Sequence, residues 1–86
     1  IDGSVAAVIE AAALGQLRTS AISGLATRWM APASADTLAL IGTGSQALTQ
    51  AIAVALVRNL REVRVFGRDP EKRDAFVERL TRELPT

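Results

Sequence analysis

The chain has no cysteine, no histidine and no tyrosine, and its aromatic side chains are one tryptophan and two phenylalanines among 86 residues. Without cysteine it can form no disulfide, offer no thiolate nucleophile and ligate no metal through sulfur, and the redox compartment is left open. Without histidine or tyrosine, general acid–base chemistry has to rest on Asp, Glu or Lys, or on residues outside this chain. An excess of charge is missing as well. Ten basic and nine acidic residues leave a net +1, so no long-range field draws in nucleic acid or an anionic membrane, and neither is expected as a partner. No apolar run reaches the roughly 18 residues of a membrane span, and the apolar start lacks the basic stretch of a signal peptide. A cytoplasmic protein is expected. What is present is 49% hydrophobic residues, enough for one small domain with a core.

The order of elements can be read from periodicity and punctuation. Asp2-Gly3-Ser4 reads as a turn and Val5–Ile9 as a short strand, with helix the alternative because of its alanines. From Ala11 to about Met30, apolar Leu14, Leu17, Ala21, Leu25 and Ala26 recur every three or four residues, which predicts a long helix with one buried face. Gly15 and Gly24 each cost about 1 kcal/mol in a helix interior. They either weaken that helix or mark a close-packed neighbour. Residues 31–36 crowd Pro, Ser and Asp into a loop. Thr37–Ile41 then reads as a strand buried on both faces, in the manner of a central parallel strand. Ser45 to about Asn59 carries the stripe Ala47, Leu48, Ala51, Ile52, Ala55 and Leu56 and predicts a helix lying on a sheet. Glu62–Phe66 predicts a second strand. Asp69-Pro70-Glu71 starts a last helix, with Asp as N-cap and Pro at the first helical position. It should run to about Leu84, bury Ala75, Phe76, Val77 and Leu80, and stop at Pro85. The expected fold is therefore α/β, a βαβα unit preceded by a long helix, with no internal repeat.

Between the first strand and its helix stands Gly42-x-Gly44-x-x-Ala47. The chain there has to turn sharply and bring its backbone close to a ligand, which is the fingerprint of a Rossmann-type dinucleotide turn. Alone, the motif also fits an ordinary tight turn. Its context favours binding: a strand precedes it, a helix follows, and the second strand ends at Gly67, about 20 residues beyond Ala47, where the ribose contact is expected. Gly42 would make the turn and Gly44 would admit the pyrophosphate, with Thr43 between them. The amides of Ser45, Gln46 and Ala47 would point at it from the helix N-terminus. At the end of the second strand an NAD site usually has Asp or Glu, whereas this chain has Gly67-Arg68, which favours NADP with NAD still possible. Arg68 can also be a solvated loop charge, and Asp69 either a ribose ligand or the helix cap. Arg18, within the first helix, reads by itself as an arginine reaching for solvent. A complete domain of this kind needs nearer ~150 residues. Residues 37–86 are thus expected to be the first part of a Rossmann domain, and 1–36 a strand and helix segment leading into it.

Four stretches together carry a more specific signal: Leu17-Arg18-Thr19-Ser20-Ala21, Ser23-Gly24-Leu25-Ala26-Thr27-Arg28, Thr37 through Ala47, and Val63-Arg64-Val65-Phe66-Gly67-Arg68-Asp69-Pro70. Over nearly its whole length the chain resembles the ornithine cyclodeaminase/mu-crystallin family. The resemblance implies that Arg18 holds a substrate carboxylate beside the nicotinamide, that Thr19 lies near the cofactor, and that Ser45 and Gln46 touch the dinucleotide. In the cyclodeaminases an aspartate stands where this chain has Gly67. The Gly-Arg ending looks more like the family's NADP-dependent imine reductases, which reduce cyclic ketimines such as pyrroline-2-carboxylate. The resemblance further implies that the family's catalytic aspartate lies beyond Thr86 and its other basic substrate residues in a flanking substrate domain before Ile1, to which 1–36 would link, so no catalytic residue is expected in this segment. The resemblance also implies a homodimeric full-length protein. The expected function is reduction of a carboxylate-bearing cyclic imine or oxo acid. The alternatives are an NAD-using ornithine cyclodeaminase and a non-catalytic protein that holds NADP and a small ligand. The segment alone is expected to expose apolar faces.

Overall fold

The computed structural model describes residues 1–84 and contains three helices and two strands in the order α1 (Ala12–Met30), β1 (Thr37–Ile41), α2 (Ala47–Val57), β2 (Glu62–Phe66) and α3 (Pro70–Glu83). The two strands pair in parallel, from Thr37 opposite Glu62 to Ile41 opposite Phe66. The βαβα unit preceded by a long helix is thus present as expected. The strand expected at Val5–Ile9 is not: residues 1–11 form neither helix nor strand, and Val8 is 92% exposed. A strand needs a neighbour for its amides and carbonyls, and among the described residues none lies beside this one. The Asp2 turn does form, with the Ser4 amide donating to Asp2 Oδ1 at 2.9 Å and Gly3 at φ +82°.

The core lies on one face of the sheet. Leu38, Leu40, Val63 and Val65 point from the strands toward Ala51 of α2 and Phe76, Leu80 and Leu84 of α3 and its end. This alternation corrects the expectation that β1 is buried on both faces. Thr37, Ala39 and Ile41 are exposed, Ile41 at 83%, because α2 and α3 both cover the same side. Side chains alternate along a strand, so a single covering layer buries only every second residue.

α3 begins as its local chemistry dictates. Asp69 Oδ1 accepts from the amides of Glu71 at 3.0 Å and Lys72 at 3.5 Å, and Pro70 opens the first turn. Phe76, Leu80 and Leu84 share one narrow stripe at i, i+4 spacing, so Ala75 and Val77, expected inside, are exposed instead. The stop expected at Pro85 lies outside the described residues. α2 is shorter than expected at both ends, with Gln46 and Arg58 in the flanking cap positions. Within its stripe Ala51 is fully buried, while Leu56 is exposed.

α1 departs most from expectation. Leu14, Leu17 and Leu25, the expected buried face, are all more than half exposed, and Ala21 and Ala26 are exposed as well. The residues that α1 buries are Ser20 and Gly24. The large apolar side chains of α1, Ile22, Trp29 and Met30 included, are exposed and spread over most of its circumference, whereas buried Ser20 and Gly24 and half-buried Gln16, Ser23 and Thr27 share one arc, so hydrophobicity does not select the contact face. Size does. A Cβ built on Gly24 would stand 3.1 Å from the Ala53 carbonyl oxygen and 3.3 Å from the Ala53 Cβ. Gly24 therefore marks a close-packed neighbour, whereas nothing lies within 4 Å of the Gly15 position.

Candidate functional site

The turn after β1 is built by one backbone requirement. Gly42 has φ +103°, a conformation that L side chains rarely adopt, and its amide donates to the Phe66 carbonyl at 2.8 Å. That bond carries the sheet ladder one residue past Ile41 before the chain leaves it. Nothing lies within 4 Å of a Cβ built on Gly44, so the backbone there is open to approach. A hollow of about 400 Å3 faces this turn, lined by Leu40, Ile41, Gly42, Gly44, Ser45, Gln46, Ala47 and Gln50.

Of the three amides expected to face a pyrophosphate, that of Ala47 donates to the Gly44 carbonyl at 3.1 Å. Among the described residues the amides of Ser45 and Gln46 have no backbone acceptor. Among the described residues no side chain caps α2, and its first turn carries no acid, so its positive end is not neutralised from within. The residues present thus fit a phosphate-bearing ligand: an open glycine backbone, free amides and an uncompensated helix terminus. Gln50 lines the same hollow and sequence reasoning missed it. The available signal was its place one turn beyond Gln46 as a polar side chain in a helix whose only other polar residue is Thr49.

Gly67 stands beside this turn for a reason of packing. The parallel register brings the end of β2 against Thr43, so that a Cβ on Gly67 would meet Thr43 Cγ2 at 3.3 Å and Arg73 Cβ at 3.7 Å. Arg68 follows, exposed, and makes no ion pair among the described residues. Asp69 is engaged as the helix cap, so its role as cap rather than ribose ligand is the one its geometry serves. Glu62 and Arg64, two apart on β2, bond to one another, and this bond and the charge of Arg64 hold the Glu62 carboxyl below its ordinary range. No group of three or more potential metal ligands occurs among the described residues.

Arg18 and Thr19 lie on α1, exposed, next to buried Ser20. The pairing of the two helices shows which way they point. Leu17 and Ser20 share a groove with Thr49 and Ile52, Gly24 abuts Ala53, and Arg28 shares a second groove with Val57. α1 and α2 therefore run in the same direction, and the Arg18 end of α1 lies toward the glycine-turn end of α2.

Comparison with known proteins agrees with this arrangement. The family model described as ornithine cyclodeaminase/mu-crystallin matches residues 1–85. A Δ1-pyrroline-2-carboxylate reductase of Bacillus cereus is 41% identical over 76 residues, 88% of this chain and 23% of the relative. An L-lysine cyclodeaminase of Streptomyces rapamycinicus is 39% identical over 85 residues, 98% of this chain and 25% of the relative. Among solved structures, the Δ1-pyrroline-2-carboxylate reductase of Thermococcus litoralis in complex with NADH and L-proline superposes with a TM-score of 0.86 at 34% identity, over 96% of this chain and 26% of that one. The chain thus spans about a quarter of the length of the relatives it matches, and its βαβα unit is the partial Rossmann domain its glycine turn suggested. With the matched region taking in both the Arg18 helix and the strand ending at Gly67, the chain belongs to the ornithine cyclodeaminase/mu-crystallin family.

Proposed function

We propose that this chain supplies the dinucleotide turn and the carboxylate anchor of an NADP-dependent reductase acting on a cyclic imine or oxo acid that carries a carboxylate. The observation that carries this reading is the end of β2. Gly67 offers no carboxylate to repel a 2′-phosphate, and its Cβ position is crowded by Thr43. Arg68 beside it has a guanidinium free of ion pairs among the described residues, suited to bidentate pairing with phosphate. In this reading Gly42 and Gly44 admit the pyrophosphate, with Thr43, Ser45, Gln46 and Ala47 around it. Arg18 holds the substrate carboxylate and Thr19 lies near the nicotinamide. When bound, the cofactor supplies the hydride; these residues bind and orient. The catalytic acid is outside this segment, and the protein acts as a cytoplasmic homodimer.

Titrating the full-length protein with NADPH and NADH tests the reading. Tighter NADPH binding is expected, and tighter NADH binding refutes the role given to Arg68. Arg18→Met is expected to raise the KM for Δ1-pyrroline-2-carboxylate or abolish turnover, and unchanged kinetics would remove Arg18 from the site. The similarity to a lysine cyclodeaminase over 98% of the chain favours a second reading, a cyclodeaminase that uses its cofactor transiently. Ammonia release from ornithine or lysine with no net change in NADH identifies that activity.

A further inference from the structure

We propose that Arg58 is a positioning residue for Arg18, acting from the opposite end of α1; the proposal rests on the reading of Arg18 as carboxylate anchor. Arg58 follows α2, yet nearly all its bonds go to the end of α1 and the loop beyond it. Its Nη2 donates to the carbonyls of Thr27 at 3.2 Å, Arg28 at 3.0 Å and Ala31 at 2.8 Å. Its Nε donates to the Pro32 carbonyl at 3.1 Å and its Nη1 to the neighbouring Val57 carbonyl at 2.7 Å. The Thr27 carbonyl already accepts from the Ala31 amide at 3.0 Å, whereas that of Arg28, like other last carbonyls of a helix, has no backbone partner among the described residues, and α1 ends in extended Ala31 without a C-capping glycine. A guanidinium is suited to this place, because it is always charged, presents five donors in a fixed plane, and sits favourably at the negative end of a helix.

The remaining contacts make this cap a lever. Gly24 is a point of close approach between α1 and α2, with Ala53 filling the space a side chain would need. At the rise of an α-helix, Arg18 lies about 9 Å along the axis from Gly24 on one side, and Ala31 about 10 Å on the other. Freeing the Arg58 end lets α1 tilt about the Gly24 contact, and the Arg18 end then moves by a comparable distance in the opposite sense. The glycine turn does not share this motion. It is held by β1, by the Gly42–Phe66 bond and by the first turn of α2, about three helical turns away from the Arg58 end of that helix.

The experiment uses the full-length protein, Δ1-pyrroline-2-carboxylate and NADPH. Arg58→Ala is expected to raise the KM for the imine about tenfold or more, since a displacement near 1 Å can cost two orders of magnitude in a positioned site. The KM for NADPH should stay within about twofold, and added guanidinium ion at millimolar concentration should recover part of the loss. A residue that merely stabilises the fold would shift both constants together or neither, and either result overturns the proposal. If Arg58→Ala does not fold, Arg58→Lys, which keeps a cation at the helix end, is read in the same way with a smaller split expected. Arg18→Met and the double variant are measured beside it. In the Arg18→Met background Arg58→Ala should change imine affinity less than about twofold, read as KM or, where that background does not turn over, as the dissociation constant of the imine on the NADP+-loaded protein, because the effect passes through Arg18. Full additivity overturns the positioning role while leaving Arg18 in the site. An imine KM unmoved by Arg18→Met itself removes the anchor, and the positioning role with it.

Discussion

Gly24→Ala sets two effects of similar size against each other, and the structure decides their sum. Replacing glycine by alanine inside a helix gains about 1 kcal/mol from backbone entropy alone. The new methyl would lie 3.1 Å from the Ala53 carbonyl oxygen and 3.3 Å from its Cβ. Neither atom can move without shifting the backbone of α2, so relief requires the helices to separate by a few tenths of an ångström. Forcing a methyl into a packed interface of this kind costs about 1–3 kcal/mol. The net expectation is a loss of between about 0 and 2 kcal/mol, against the gain that helix propensity predicts. Urea unfolding of full-length wild type and variant measures the difference. Ala53→Gly removes the Cβ contact and leaves the oxygen contact, so in a double-mutant cycle it should recover part of the loss and no more. A stabilisation near 1 kcal/mol by Gly24→Ala would refute the reasoning, because it would mean that the two helices part freely.

Two further outcomes are expected. Asp69→Ala should cost about 1 kcal/mol by leaving the Glu71 and Lys72 amides without their acceptor, and Asp69→Asn should keep most of the stability; equal losses in thermal unfolding would count against the cap. Glu62 should titrate below ordinary glutamate in an NMR-monitored titration and return upward in Arg64→Ala, since the Arg64 bond is the leading cause of its shift. Because the folded pKa is the depressed one, the stabilisation is present above the unfolded value of about 4.3 and is lost as pH falls through the folded value. Salt should weaken it, as the pair is exposed.

The features legible in the sequence were those that local atoms decide. Asp69, Pro70 and the amides just beyond them form a cap from neighbouring residues, and the alternation of β2 follows from its own side chains. The glycine turn was legible for the same reason, since Gly42 answers to its own φ. What could not be read depends on partners distant in sequence. The face of α1 is not marked by its apolar residues, which spread over most of the helix and stay exposed, and the contact with α2 is chosen by the smallness of Ser20 and Gly24. Val5–Ile9 has strand-like residues and, among the described residues, no strand beside it to pair with. The carbonyls that Arg58 caps lie 26 to 31 residues away, apart from its neighbour Val57. Likewise Gly67 reads as a missing carboxylate, while its contact with Thr43 arises only from the parallel register of the strands.

Gly24, Gly42 and Gly67 have different reasons for being glycine, and this separates their genetics. Gly24 and Gly67 are constrained by identifiable neighbours, Ala53 and Thr43. A damaging side chain at either should therefore have second-site suppressors at those addresses, by Ala53→Gly or by a Thr43 variant without the methyl. Gly42 has no neighbour within 4 Å to trim, and its requirement is handedness of the backbone. Selection for revertants of Gly42→Ala should return glycine at position 42 itself, or not at all.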